Sequence, residues 1–124
     1  MSTRAVLLAG MLALVSACVT PSIPIPPPDP SLMGFAVDSS SGVATFSYGT
    51  EPNYAFAVVY IFNKDQGTGI ITTARADGSV GPTQPFPAEL GDNVAITIEN
   101  DAVQASRCVV VRQGIPSAVE YCTR

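Results

Sequence analysis

The stretch YAFAVVYIF, residues 54–62, decides the fold class. It holds no charge, no amide and no glycine, and its β-branched and aromatic content reads as a strand covered, at least in part, on both faces. Side chains alternate at period two along a strand. Tyr54, Phe56, Val58, Tyr60 and Phe62 therefore share one face, and Ala55, Ala57, Val59 and Ile61 share the other. In a two-layer sandwich only one face is core. One reading puts the aromatic face inward under a lightly covered small face, and the pattern favours it. The other packs the aliphatic face inward and leaves Tyr54, Phe56 and Tyr60 as an exposed stripe, which would be a binding surface.

Working outward, similar runs recur at residues 35–37, 43–48, 70–75, 80–86 (weakly), 93–99, 107–112 and 118–122, and none repeats at helical period. Val94, Ile96 and Ile98 alternate with polar or small neighbours, which marks an inward face. Ser39-Ser-Ser-Gly42 reads as a hairpin turn, residues 63–69 as a longer hairpin loop, and Ala76-Asp77-Gly78-Ser79 as a tight turn with glycine at positive φ. The fold class is all-β: one antiparallel sandwich of seven or eight short strands over residues 34–124. A chain of 124 residues holds one such domain.

Composition removes several function classes. Ten acidic against six basic residues give a net charge of −4, and the bases do not cluster, so no footprint for nucleic acid exists. The absence of histidine excludes histidine-based triads and general bases, and with them metal sites built on two cysteines and two histidines or on three histidines. Close acid pairs such as Glu89 with Asp92 are solvated turn residues by default. Lys64, the only lysine, sits in a loop. Asn63, Asp65 and Gly67 open like a calcium loop, but its twelfth position is Ala74 where a bidentate Glu belongs. A loose calcium site from Asp65, Asp77, Asp92 or Asp101 is a minor alternative. No catalytic residue, cofactor or metal ligand is expected.

The amino terminus carries an address. Met1-Ser-Thr-Arg4 followed by the apolar run AVLLAGMLALV at residues 5–15 has the pattern of a signal peptide, too short to span a bilayer. Val15-Ser16-Ala17-Cys18 resembles the bacterial lipobox, in which the cysteine thiol is acylated and becomes the first residue after cleavage. The resemblance implies a signal peptide at residues 1–17, lipid on Cys18 and palmitate-type acyl chains holding the protein to the membrane. Val19 stands where an Asp would retain such a protein in the inner membrane, so the resemblance points to the outer membrane. Residues 18–33 form a linker, with six prolines between Thr20 and Ser31. A proline-rich chain favours polyproline II, and twelve residues would reach roughly 37 Å as a semi-rigid stalk. A docking site for a polyproline-reading partner is the minor alternative.

With Cys18 acylated, Cys108 and Cys122 are the remaining thiols in an exported chain, and an even remainder implies a disulfide. If residues 107–112 and 118–122 pair about a loop near 113–117, positions summing to 230 lie opposite. Cys108 then faces Cys122, Val109 faces Tyr121 and Val111 faces Val119. Such a bridge contributes about 3 kcal/mol for a loop of some fifteen residues. A redox pair or metal site is a poor alternative, since two cysteines without histidine supply too few ligands.

The run Val58-Val59-Tyr60-Ile61-Phe62-Asn63, the Ala76-Asp77-Gly78-Ser79 turn and Pro87-Ala88-Glu89-Leu90-Gly91-Asp92 leading into Val94-Ala95-Ile96 together resemble bacterial Ig-like repeats, and also transthyretin-like sandwiches. The resemblance covers about 40 residues, rests on turn chemistry, and implies a structural or adhesive module with no catalytic residues to transfer. The expectation is a lipid-anchored, non-enzymatic envelope protein that presents a β-sandwich for binding or support, in contact with the membrane through its anchor and with an envelope protein partner. An accessory subunit or inhibitor of a larger envelope assembly is the alternative, and a small carboxylate-based enzyme the rival from another class.

Overall fold

The computed structural model describes residues 24–119. Within them the chain builds two antiparallel sheets that face each other as a β-sandwich. β1 (Met33–Asp38), β2 (Val43–Tyr48) and β5 (Phe86–Pro87) form the smaller sheet in the order β1-β2-β5. β3 (Val58–Asn63), β4 (Thr68–Thr73), β6 (Asn93–Asn100), β7 (Val103–Val110) and β8 (Ser117–Ala118) form the larger, in the order β4-β3-β6-β7-β8.

Turn chemistry sets the registers. Asp38 Oδ1 accepts from the Ser40 amide, and Gly42, at φ 70°, donates to the Asp38 carbonyl, so β1 and β2 pair with Asp38 opposite Val43. Between β3 and β4, Asn63 Oδ1 accepts from the Asp65 and Gln66 amides and Gly67 takes φ 69°. β6 and β7 close on two residues, with Asn100 opposite Val103 and Asp101 at φ 54°. Sequence reading starts this second arm at Arg107, because Gln104-Ala-Ser lacks β-branched residues. The expected strand over 80–86 is reduced to β5 and a single bridge between Tyr48 and Val80.

The core lies between the sheets. Phe35 meets both Phe46 and Phe86 edge-to-face, with the Phe35 and Phe46 centroids 5.3 Å apart. Val59, Ile61, Val94, Ile96, Ile98 and Val109 close it from the other side, each at most 1% exposed. The inward face read from Val94, Ile96 and Ile98 is the one observed.

The reading of residues 54–62 as one strand with an aromatic core face is corrected. The strand begins at Val58; Pro52–Tyr54 is a 3-10 turn, and Phe56 sits at φ 59°, so period-two alternation does not run through it. Tyr54 is buried while Phe56 is 70% exposed, although alternation assigns them to the same face. From Val58 onward Val59 and Ile61 point inward, and the aromatic side faces out.

The proline-rich stretch is also corrected where it is described. It lies along the domain instead of standing free: Ile25 packs on the core and Pro28 is buried. Tyr54 Oη donates to the Pro26 carbonyl, the Asp29 amide donates to Tyr48 Oη at 2.8 Å, and Arg107 Nε donates to the Pro28 carbonyl at 3.2 Å. Proline carbonyls retain acceptor capacity while offering no N–H. They are met by phenol and guanidinium donors. Packing against the core therefore reaches back to Ile25.

A third correction concerns the carboxy-terminal pairing. Val109 lies opposite Ala118 and Val110 opposite Ser117, so positions sum to 227, three short of the expected register. The Val119 amide donates to the Cys108 carbonyl. The connection is not a simple hairpin loop: Val111 bonds back to Asp92, Gly114 bridges Phe35, and Gln113 bonds both backbone groups of Val37. Those ties carry the chain to the edge of β1 and delay its return. Val109 and Val111 belong to the core cluster and Cys108 does not, as alternation requires.

Candidate binding face

Register places the outer face of the larger sheet residue by residue. Tyr60 lies between Ile71 and Thr97, Phe62 between Gly69 and Ala95, and Val58 between Thr73 and Glu99. Thr97 and Ser106 hydroxyls meet at 2.8 Å on the β6–β7 half, and Gln104 donates to Glu99 beside them. The face is thus polar on β6 and β7 and apolar on β3 and β4. Ile71 is 66% exposed and Phe62 45% exposed. An open groove of about 540 Å³ lies at the β3–β4 margin of this face, lined by Tyr60, Phe62, Gly69 and Ile71 together with the inner-side Ile70 and with Gln84 from the segment before β5.

Gly69 shapes the groove. A Cβ there would lie 2.0 Å from the Ile61 carbonyl oxygen, so β4 approaches β3 too closely for any side chain. The cross-strand neighbour of Phe62 is therefore bare, and a slot opens between Phe62 and Ile71. Phe56, beyond the amino end of β3, adds a further exposed ring on a backbone that bulky residues avoid.

No family model, curated protein or solved structure matches the chain. The face therefore stands on its own geometry.

Of the expected stripe, Tyr60 is half-buried on this face, Phe56 is exposed near its edge, and Tyr54 is not part of it. Burial in the body of the fold raises the pKa of both Tyr54 and Tyr48, whose rings lie 5.7 Å apart beneath the proline segment. Sequence reading omits Phe62 and Ile71 as site residues. Alternation from Tyr60 reaches Phe62, but Ile71 needs the β3–β4 register. Cys18 and Cys122 lie outside the described residues, and Cys108 is 3% exposed.

The carboxylates serve the turns. Burial pushes the Asp92 pKa up, but Asn63, the Glu89 amide and Gln66 all donate to its carboxylate and hold it below the usual range. Asp77 is lowered by the Ser79 hydroxyl and amide, and Asp38 by Ser40 and Ser41. Asp65, read as a calcium-loop position, accepts from the Asn93 amide and side chain. Among the described residues no three carboxylates or thiols converge in a way that would hold a metal.

Proposed function

We propose that this chain is a lipid-anchored, non-enzymatic protein of the bacterial envelope, defined by what its outer sheet face binds. Its sandwich would belong with the bacterial Ig-like or transthyretin-like modules. The observation that carries the reading is the apolar half-face of Tyr60, Phe62 and Ile71, left exposed beside a groove while the aliphatic side of β3 fills the core. Apolar surface of this kind marks contact with another macromolecule. Among the described residues the carboxylates whose pKa is displaced are lowered, as turn acceptors are, whereas acid catalysis calls for a raised one.

On this reading Cys18 carries the acyl chains, in the outer membrane, and Cys108 bridges to Cys122. Support for the bridge is local: the Val119 amide bonds the Cys108 carbonyl, which brings the chain alongside Cys108 three residues before Cys122. A protein in which both are cysteine should migrate faster under non-reducing conditions than Cys122→Ala.

The test is chemical crosslinking in intact envelopes with a carboxy-terminal tag, comparing wild type, Cys18→Ser and Phe62→Ser. Capture of one reproducible partner that needs both the lipid and Phe62 supports the proposal. Capture indifferent to Phe62 refutes the binding face, and unchanged membrane association of Cys18→Ser refutes the anchor.

A further inference from the structure

The two sheets have four edges, and three are protected. β1 is covered by Gly114, which exchanges both backbone hydrogen bonds with Phe35, and by Gln113, which bonds the amide and carbonyl of Val37. β5 is two residues long and ends in Pro87. At the remaining edge β8 covers only Val109 and Val110, and the rest is β7, which carries the charge of Arg107 with the Pro28 carbonyl bonded to it. β4 differs: it is six residues, TGIITT, without charge or proline, and among the described residues no strand hydrogen-bonds its outer side, beside which Gln84, just ahead of β5, lines the groove with Gly69 and Ile71. Long uncharged edges pair with other strands, and folded proteins ordinarily blunt them with charge, proline or a bulge.

We infer that β4 is the contact by which a second copy of this chain pairs, antiparallel and about a twofold axis, joining two larger sheets into one. This rests on the reading of the outer face as a binding surface and names its occupant; it does not depend on the lipid anchor. The Ala74 amide bonds the Ala57 carbonyl. Continued by alternation, this turns the backbone groups of even-numbered β4 residues toward β3 and those of Gly69, Ile71 and Thr73 outward.

Residues directly opposite in an antiparallel pair share a face, so positions in a symmetric pair sum to an even number. The sum of 140 is favoured by two features. It sets Ile71 of each copy opposite Gly69 of the other, so that each isoleucine fills the slot beside Phe62 that the glycine leaves open. It also brings the turn of one copy that carries exposed Asp65, bonded to Asn93, toward the end of the other that carries exposed Arg75, bonded to Ser79 and Gly81, so that opposite charges lie near each other at both ends. The alternative sum of 142 leaves both slots without an isoleucine and brings Asp65 toward Asp77. With 140, Ile70 meets its own copy on the inner side and Thr68 faces Thr72.

The test is a covalent one in the full-length protein, in intact envelopes and again purified in detergent micelles. Thr68 and Thr72 of opposite copies form a pair without mutual hydrogen bonds, with Cα atoms about 4.5 Å apart, within disulfide range. Thr68→Cys combined with Thr72→Cys should give an oxidised dimer on a non-reducing gel, and either substitution alone should give at least tenfold less. Adding Ile71→Lys, an exposed position, should suppress the dimer, and Thr73→Lys serves if Ile71→Lys alters the circular dichroism. No dimer from the double variant in either setting overturns the inference, as does a dimer that survives the lysine. Loss of a heterologous partner on Ile71→Lys in a protein that never dimerises would keep the binding face and overturn the second copy.

Discussion

Replacing Tyr54 by Phe tests whether the proline segment is a docked part of the fold. The side chain is 1% exposed, and its hydroxyl donates to the Pro26 carbonyl. Deleting one such hydrogen bond costs about 1 kcal/mol net, and because Pro26 is exposed its carbonyl regains water when the phenol is gone. The loss should be local. The segment holds to the body through Tyr54, Tyr48, Arg107 and the packing of Ile25, whereas the sheets are held by their own ladders. One kcal/mol divided by RT raises the open population about fivefold. Amide exchange at Asp29, whose N–H bonds Tyr48 Oη, should therefore quicken about fivefold, while the amides of Ile61 and Ile96 keep their rates. An alkaline titration supplies the second arm. Burial raises both phenol pKa values above their unfolded value near 10. A raised folded pKa gives stability that is complete below about pH 10 and is lost as pH climbs through the folded value. Wild type should release the segment in that window, and the Tyr48→Phe, Tyr54→Phe double variant should lack the step. Exchange that quickens equally across the sheets, or not at all at Asp29, would refute the docked segment.

Other perturbations reach the turns. Asn63→Ala removes a fully buried side chain that accepts from two amides and donates to Pro87 and Asp92; urea unfolding should show a loss of about 3 kcal/mol or more. The lowered pKa of Asp92 gives stability present above about pH 4 and lost as pH falls through its folded value, so Asp92→Asn should be less stable at pH 7 and flatter in an acid titration. Gly78→Ala places a Cβ 1.7 Å from the Glu51 carbonyl oxygen at φ 81° and should cost roughly 1–3 kcal/mol in the same denaturation assay; an unchanged midpoint would contradict the close approach.

What the sequence makes legible follows alternation and turn chemistry. Val94, Ile96 and Ile98 announce their face because each neighbour is polar or small, and Ser39-Ser-Ser-Gly42 announces its turn because Gly42 supplies positive φ. Residues 54–62 mislead for a physical reason. An apolar run carries no mark of where a strand starts, and Pro52 opens a 3-10 turn that consumes Tyr54 before alternation begins. The choice between its two faces is open in the sequence because both are apolar. It is decided by volume elsewhere, since Phe35, Phe46 and Phe86 already fill the smaller sheet's side of the core and leave room for valine and isoleucine opposite. The slot at Gly69 is invisible for a different reason, because it depends on which residue of β3 lies across from a glycine. The carboxy-terminal register slips by three because Gln113 and Gly114 bind β1, a contact no local pattern encodes.

The docked proline segment changes what an anchor at Cys18 would mean. A free stalk from Thr20 would let the domain stand roughly 37 Å from the bilayer. With the chain packed on the domain from Ile25, residues 19–24 separate the cysteine from the fold. Seven Cα steps at about 3.3–3.6 Å each span at most roughly 25 Å. On the anchored reading the domain is held near the headgroups. Copies confined to such a thin layer meet at a far higher effective concentration than in free solution. On that reading a six-residue edge with a pair of isoleucine slots, modest as a contact between freely diffusing molecules, would gain from the confinement. On the anchored reading the membrane would supply the proximity and the β4 edge the register.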